Sequence, residues 1–179
     1  MRRSLIPLSL ASLLLLSGSS LRAGDRAWPF SRTRALTPFA KTLLADAAEQ
    51  SPTVRKLLES FEETDLVVYV EVSIAPRKGD HRASLRFVGG EGPLRYVLVW
   101  VDAWESSHAD RVAWLAHELQ HAYEVAAEPE VRSQAALARY YRRIGHTRNP
   151  DGSWFETGAA KEAARQARAD VAGFRASFR

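Results

Sequence analysis

Apolar residues recur at helical spacing in two consecutive segments that begin at residue 37, which predicts two amphipathic helices. The first helix is expected to begin with Thr37 as its N-cap and Pro38 at its first position. The second begins in the same way, with Ser51 and Pro52. The apolar stripes of the two segments consist of Phe39, Leu43, Leu44 and Ala47 and of Val54, Leu57, Leu58 and Phe61.

The pattern then changes to one that is typical of strands. Residues 65–74 (DLVVYVEVSI), 83–89 (ASLRFVG) and 94–104 (LRYVLVWVDAW) are rich in β-branched and aromatic residues, and glycine and proline between them mark turns. The third segment is apolar on both faces, which favours an interior position. These segments predict a small three-stranded sheet, mostly antiparallel or mixed. Residues 24–36 carry no such pattern and are expected to be irregular.

The chain is predicted to be helical from about residue 107 to its end, with interruptions. Ser107 and Asp110 indicate the start of one helix, and Pro129 indicates its end. A second helix is expected to stop at Gly145, and a last one to open near Trp154. The predicted fold class is therefore α+β, with a sheet packed against helices and two further helices after the one that begins at Ser107.

Residues 1–23 have the layout of a secretory signal peptide. Arg2 and Arg3 precede an apolar run, and a small, polar segment follows it. The expected cleavage point is after Ala23, with residues 17–20 as alternatives, and an uncleaved membrane anchor is the competing interpretation. The hypothesis is a secreted or periplasmic protein whose mature part, residues 24–179, is one domain without stable membrane insertion.

Charge and cysteine content narrow the function classes. The formal net charge of +4 includes Arg2, Arg3 and Arg22, so the mature chain carries +1. A charge so close to zero, with its arginines spread out, gives no indication of nucleic-acid binding. The chain has no cysteine, which excludes disulfides, thiolate metal ligands and acylation at a cysteine. A metal site would have to use histidine, aspartate or glutamate.

One motif offers such ligands: His117-Glu118-Leu-Gln-His121, inside the predicted helix VAWLAHELQHAYEVAAEP. Residues four apart lie on one helical face, so both imidazoles can turn toward one zinc ion. Glu118 would then serve as the general base for a zinc-activated water and pass the proton to the leaving amine. Two ordinary histidines at this spacing are the alternative, although a polar trio on an apolar helix requires buried partners.

With this motif the chain resembles the HExxH zinc metallopeptidases, or zincins. Metzincins continue with a glycine and a third histidine, whereas AYEVAAEP follows His121 here, and the Gly-Thr pair found in many aspzincins is absent. The gluzincin variant, in which a glutamate on a later helix is the third ligand, fits best. The chain is also similar to small secreted bacterial proteins with a gluzincin-like core.

The gluzincin resemblance implies a third zinc ligand, for which Glu156 is the first candidate. It lies 35 residues after His121, beside Trp154 and Phe155, which would bury it. A charge placed at a helix N-terminus is the alternative interpretation of this residue. The other candidates are Glu128 or Glu130, and then Glu162. Glu124 is expected to lie beyond the metal, in contact with a ligand or with solvent.

The same resemblance implies two further features of the site. One is a side chain that stabilises the oxyanion, for which the candidates are His146, Tyr140, Tyr141 and Arg143. The other is an edge strand just before the motif helix, where a peptide could bind by strand addition, and residues 94–104 are in that place.

The predicted function is thus that of a secreted zinc metallopeptidase acting on peptides or proteins. Its predicted zinc ligands are His117, His121 and Glu156, with Glu118 as the catalytic base. A non-catalytic zinc-binding interaction domain of the cell envelope is the second hypothesis. A helical envelope protein with a coincidental motif is the third.

Overall fold

The computed structural model describes residues 28–76, 82–147 and 155–178, which contain five helices and two sheets. In chain order the elements are β1 (Thr33–Ala35), α1 (Pro38–Gln50), α2 (Pro52–Phe61), β2 (Leu66–Ser73), β3 (Ala83–Glu91), β4 (Leu94–Asp102), α3 (His108–Ala126), α4 (Gln134–Ile144), β5 (His146–Thr147), β6 (Phe155–Glu156) and α5 (Gly158–Ala176). A mixed sheet packed on helices confirms the predicted α+β class.

The larger sheet has the strand order β1-β2-β4-β3. Strand β2 is parallel to both of its neighbours, whereas β3 and β4 form an antiparallel hairpin. Gly92 in the hairpin turn has φ +56°, a left-handed conformation that a side chain disfavours. Alternate residues of β2 and β4, such as Val68, Val70, Val97 and Val99, belong to the core that the helices share.

The sheet differs from its prediction in two respects. It has four strands rather than three, because β1 forms in the segment that was expected to be irregular. Three residues are too few to show an alternating pattern in the sequence. Strand β1 is instead stabilised by its pairing with Val68–Val70 of β2. Strand β4, suggested as an edge strand by the resemblance and as an interior strand by its two apolar faces, lies between β2 and β3, and the edges of the sheet are β1 and β3.

The predicted helix starts are largely confirmed. The hydroxyls of Thr37, Ser51 and Ser107 accept hydrogen bonds from backbone N–H groups three residues on, at 3.1, 3.2 and 3.1 Å. The last helix begins at Gly158 and not near Trp154, which lies outside the described residues. Its N-cap is Thr157, which has an extended backbone and accepts from Ala160 N at 3.1 Å.

Arg95 on β4 holds the carboxyl end of α3. Its side chain is fully buried and donates hydrogen bonds to the carbonyls of Val125, Ala126 and Glu128 at 3.0, 3.1 and 2.7 Å. These carbonyls lie in the last turn of α3 or just beyond it, where the supply of helical N–H donors ends, so the guanidinium provides donors that water would otherwise supply. Asp65 accepts two further hydrogen bonds from the same group, at 2.8 and 2.7 Å, and neutralises its charge.

The predicted signal peptide, residues 1–23, lies outside the described residues, as do its alternative cleavage points. In the part of the chain that the structure describes, every helix is too short or too polar to cross a membrane.

Candidate metal centre

Helix α3 presents the two histidines of the motif to one cavity. The neighbouring residues Leu115, Ala116 and Leu119 are fully buried in the core, which determines the rotation of the helix about its axis. The rings of His117 and His121 consequently lie together on the other side, with centroids 4.8 Å apart and planes at 80°. His121 is buried, and His117 is partly exposed to the cavity.

Strand β6 brings Glu156 to this pair. Its carboxylate is buried, and its Oε1 lies 3.3 Å from Nε2 of His117. Strand β6 pairs with β5, where His146 is opposite Glu156, and the ring of Phe155 stacks on Tyr141 with centroids 6.0 Å apart. The structure thus places the first candidate for the third ligand beside the motif, on a short strand just before the helix that was expected to carry it.

The backbone of β6 lies very close to Gly145, the residue at which α4 ends. A Cβ atom at this position would lie 3.0 Å from the carbonyl oxygens of both Glu156 and Tyr141. Glycine therefore allows the strand that carries Glu156 to lie against the end of α4. The sequence predicted Gly145 as a helix stop, and the close approach is a second reason for glycine here.

The donor atoms of His117, His121 and Glu156 all lie within 4.8 Å of one another. Two imidazole nitrogens and one carboxylate oxygen form a donor set that catalytic zinc sites with three protein ligands use. The chemistry and closeness of these groups fit a zinc ion. Nickel, copper and iron accept similar ligands, so the donor set favours a transition metal over calcium or magnesium.

Glu124 orients one of the histidines. Its Oε2 is 2.9 Å from Nδ1 of His121, and its Oε1 accepts a hydrogen bond from Thr157 Oγ1 at 2.7 Å. A carboxylate at Nδ1 favours the tautomer that leaves Nε2 available as a ligand. Burial lowers the pKa of His121, but the hydrogen bond to Glu124 and the nearby carboxylates outweigh it and raise the pKa. Of the two positions expected for Glu124, contact with a candidate ligand and exposure to solvent, the structure shows the first.

Glu118 is buried and lines the same cavity as the two histidines. Burial raises the pKa of its carboxyl to about 7; the charge of His121 lowers the pKa, and that of Glu156 raises it. A carboxyl group whose pKa is close to neutral can both accept and return a proton. Glu118 is therefore a candidate general base at the wall of this cavity.

The remaining glutamates of the prediction lie elsewhere. Glu128 forms an ion pair with Arg143 beyond the end of α3, and Glu162 forms one with Arg165 on the surface of α5. Glu130 is exposed. None of the three lines the cavity that the described residues form.

Of the four candidates for stabilising an oxyanion, Tyr141 lines the described part of the cavity. Its hydroxyl donates a hydrogen bond to the carbonyl of His121 at 2.8 Å, and burial raises its pKa well above the usual value. The hydroxyl of Tyr140 donates to the carbonyl of Glu124 at 3.0 Å. Both tyrosines therefore hold the helix backbone beside the candidate ligands. His146 is exposed on β5, and Arg143 pairs with Glu128.

The cavity has a volume of about 730 Å³ and is bounded by β3, α3, α4, β6 and α5. Its apolar side chains include Leu85, Trp114, Leu137 and Phe155. The cavity also has basic side chains that were not predicted from the sequence, namely Arg82, Arg142, Lys161, Arg165 and Arg168. They come from separate segments of the chain and form no cluster in the sequence.

Comparisons with models of protein families, with curated proteins and with solved structures find no match to this chain.

Proposed function

We propose that this protein is a secreted or periplasmic zinc metallopeptidase, gluzincin-like in its ligand set, that hydrolyses a peptide bond of a peptide or protein. The observation that carries the proposal is the grouping of His117, His121 and Glu156 beside the buried carboxyl of Glu118. The three candidate ligands come from α3 and from a strand 35 residues further along the chain, and they meet at the wall of a cavity.

Each residue has a role that its position supports. His117, His121 and Glu156 would hold the ion, and Glu124 would orient His121 through the 2.9 Å contact at Nδ1. When bound, zinc supplies a Lewis acid that activates water and polarises a carbonyl. Glu118 would take the proton of the attacking water and deliver it to the leaving nitrogen.

The cavity favours catalysis over a purely structural use of the metal. Structural zinc sites are closed by four protein ligands, whereas catalytic sites keep a position open for water or substrate. Here the described part of the chain offers a group of three ligands at the wall of a cavity of about 730 Å³. A cavity of that volume can accept several atoms of a substrate on either side of a peptide bond.

Metal analysis of the purified protein tests the site. We expect about one zinc per chain in the wild type and a large loss of zinc in His121→Ala and in Glu156→Ala, because each removes one of three ligands. Glu130→Gln, which changes an exposed glutamate outside the cavity, is the matched control and should retain zinc. A Glu156→Ala variant that binds zinc as tightly as the wild type would contradict the assignment.

Cleavage of a peptide library tests the catalytic role. Glu118→Gln should keep its zinc while hydrolysis falls by a factor of about 10² to 10⁴, because the general base is lost. A variant that cleaves as fast as the wild type would rule out Glu118 as the base. A wild-type protein that binds zinc but cleaves no peptide would support the second hypothesis, a non-catalytic zinc-binding domain. A wild-type protein that binds no metal would support the third, in which the motif is coincidental.

A further inference from the structure

Basic side chains from three parts of the fold line the described cavity. Arg82 precedes β3, Arg142 lies on α4, and three more lie on α5. The three on α5, namely Lys161, Arg165 and Arg168, are spaced by four and three residues, so they share one face of the helix.

Carboxylates pair with some of these basic side chains but not with all of them. Arg82 pairs with Asp102 at 3.0 Å, Arg168 pairs with Asp110 at 2.7 Å, and Arg165 pairs with Glu162. Within the described residues, Arg142 and Lys161 have no carboxylate partner.

The acidic side chains that line the described cavity are Glu118 and Glu156. Both lie at the candidate metal centre, where a bound cation would offset their charge. The remainder of the wall therefore carries an excess of positive charge. A partly enclosed cavity concentrates that field and attracts anions.

We propose that the substrate carries a carboxylate near the bond that is cleaved, and that Arg142 and Lys161 bind this carboxylate. The inference rests on the proposed peptidase function and specifies its substrate class as acidic peptides. Hydrogen bonds from arginine and lysine to a carboxylate are roughly twice as strong as those between neutral groups. A substrate with basic residues at the same positions would be repelled, so the wall also discriminates against such peptides.

The carboxylate has two possible sources, an aspartate or glutamate side chain and the carboxyl terminus of the peptide. A proteome-derived peptide library first identifies a peptide that the zinc-loaded protein cleaves. Four versions of it are then compared: the parent, one with Asn or Gln in place of its acidic residues, one with an amidated carboxyl terminus, and one with both changes. We expect kcat/KM to fall about tenfold for whichever change removes the bound carboxylate.

The variants Arg142→Gln and Lys161→Gln identify the binding residues. Each should lower kcat/KM about tenfold for the carboxylate-bearing peptide and leave it nearly unchanged for the version that lacks the carboxylate. Arg139→Gln, on the same helix as Arg142 but outside the lining of the cavity, is the matched control. Added salt should lower kcat/KM for the acidic peptide alone.

The possible outcomes separate this inference from the proposed function. Cleavage of all four peptides at equal rates overturns the inference and leaves the peptidase function intact. Losses in Arg142→Gln and Lys161→Gln that are equal for acidic and neutral peptides overturn it as well. Failure to cleave any peptide in the library overturns both.

Discussion

At the scale of single residues, Glu124 connects the two parts of the candidate metal centre. One of its carboxylate oxygens contacts the ring of His121 on α3, and the other accepts a hydrogen bond from Thr157. Thr157 directly follows Glu156 and caps α5. The position of the third candidate ligand is thereby tied to the orientation of the second.

We expect Glu124→Gln to weaken zinc binding by about ten- to a hundredfold, because the ring of His121 loses its charged partner. Competition with a chelator of known affinity measures the change. Glu128→Gln is the matched control, since Glu128 lies one turn further on and pairs with Arg143 outside the cavity. Equal zinc affinity in wild type and Glu124→Gln would show that the contact does not support the site.

At the scale of elements, the end of α4 and the short strand β6 form one unit with the candidate ligand. Gly145 terminates α4, and the backbone carbonyl of Glu156 lies against it. Tyr141 from the same helix packs on Phe155 of β6 and on the ring of His121. A displacement of β6 would therefore move Glu156 relative to both histidines.

Gly145→Ala should lower the free energy of unfolding by about 1 to 3 kcal/mol and weaken zinc binding, because the added methyl group lies too close to two carbonyl oxygens. Urea unfolding and chelator competition measure the two effects. Gly173→Ala is the control. Gly173 lies in α5, a Cβ atom there would have no neighbour within 4 Å apart from the helix's own backbone, and the change should stabilise the helix slightly. A Gly145→Ala protein with wild-type stability and zinc affinity would refute this account.

At the scale of the whole molecule, buried or partly buried carboxylates join segments that are distant in the sequence. Asp65 pairs with Arg95, and this hydrogen bond lowers the pKa of Asp65. Asp170 on α5 accepts hydrogen bonds from Ser51 and from the backbone of Thr53. Burial raises the pKa of Asp170, but these hydrogen bonds outweigh it and the net pKa is lowered. The ionised forms of both groups therefore stabilise the fold.

A lowered pKa in the folded state means that the unfolded chain binds more protons in acid, so stability increases with pH in that range. The contribution of Asp65 and Asp170 should be complete above about pH 5 and should be lost as the pH falls below about 4. Urea unfolding at a series of pH values measures it. The variant Asp170→Asn should show a weaker acid dependence than the wild type, and an unchanged dependence would contradict the assignment.

Part of this architecture follows from the sequence alone. The N-caps at Thr37, Ser51 and Ser107 and the helix stop at Gly145 were predicted because they depend on hydrogen bonds within a few residues. Strand β1 was not predicted, because its three residues are ordered by pairing with β2 some 35 positions away. The start of α5 was predicted too early in the chain. Nothing in the sequence marks Thr157 as the N-cap, because the extended backbone before it depends on the pairing of β6 with β5.

The sequence by itself determined the helix that carries His117, Glu118 and His121 and the face that they share, because both depend on spacing along one helix. The tertiary structure alone decided which of the candidates for the third ligand lies beside them: Glu156 does so, and Glu128, Glu130 and Glu162 do not. It alone also decided that basic side chains from three parts of the fold line one cavity. The position of Glu156 and the basic lining of the cavity both depend on how distant segments pack, which a local pattern of residues does not predict.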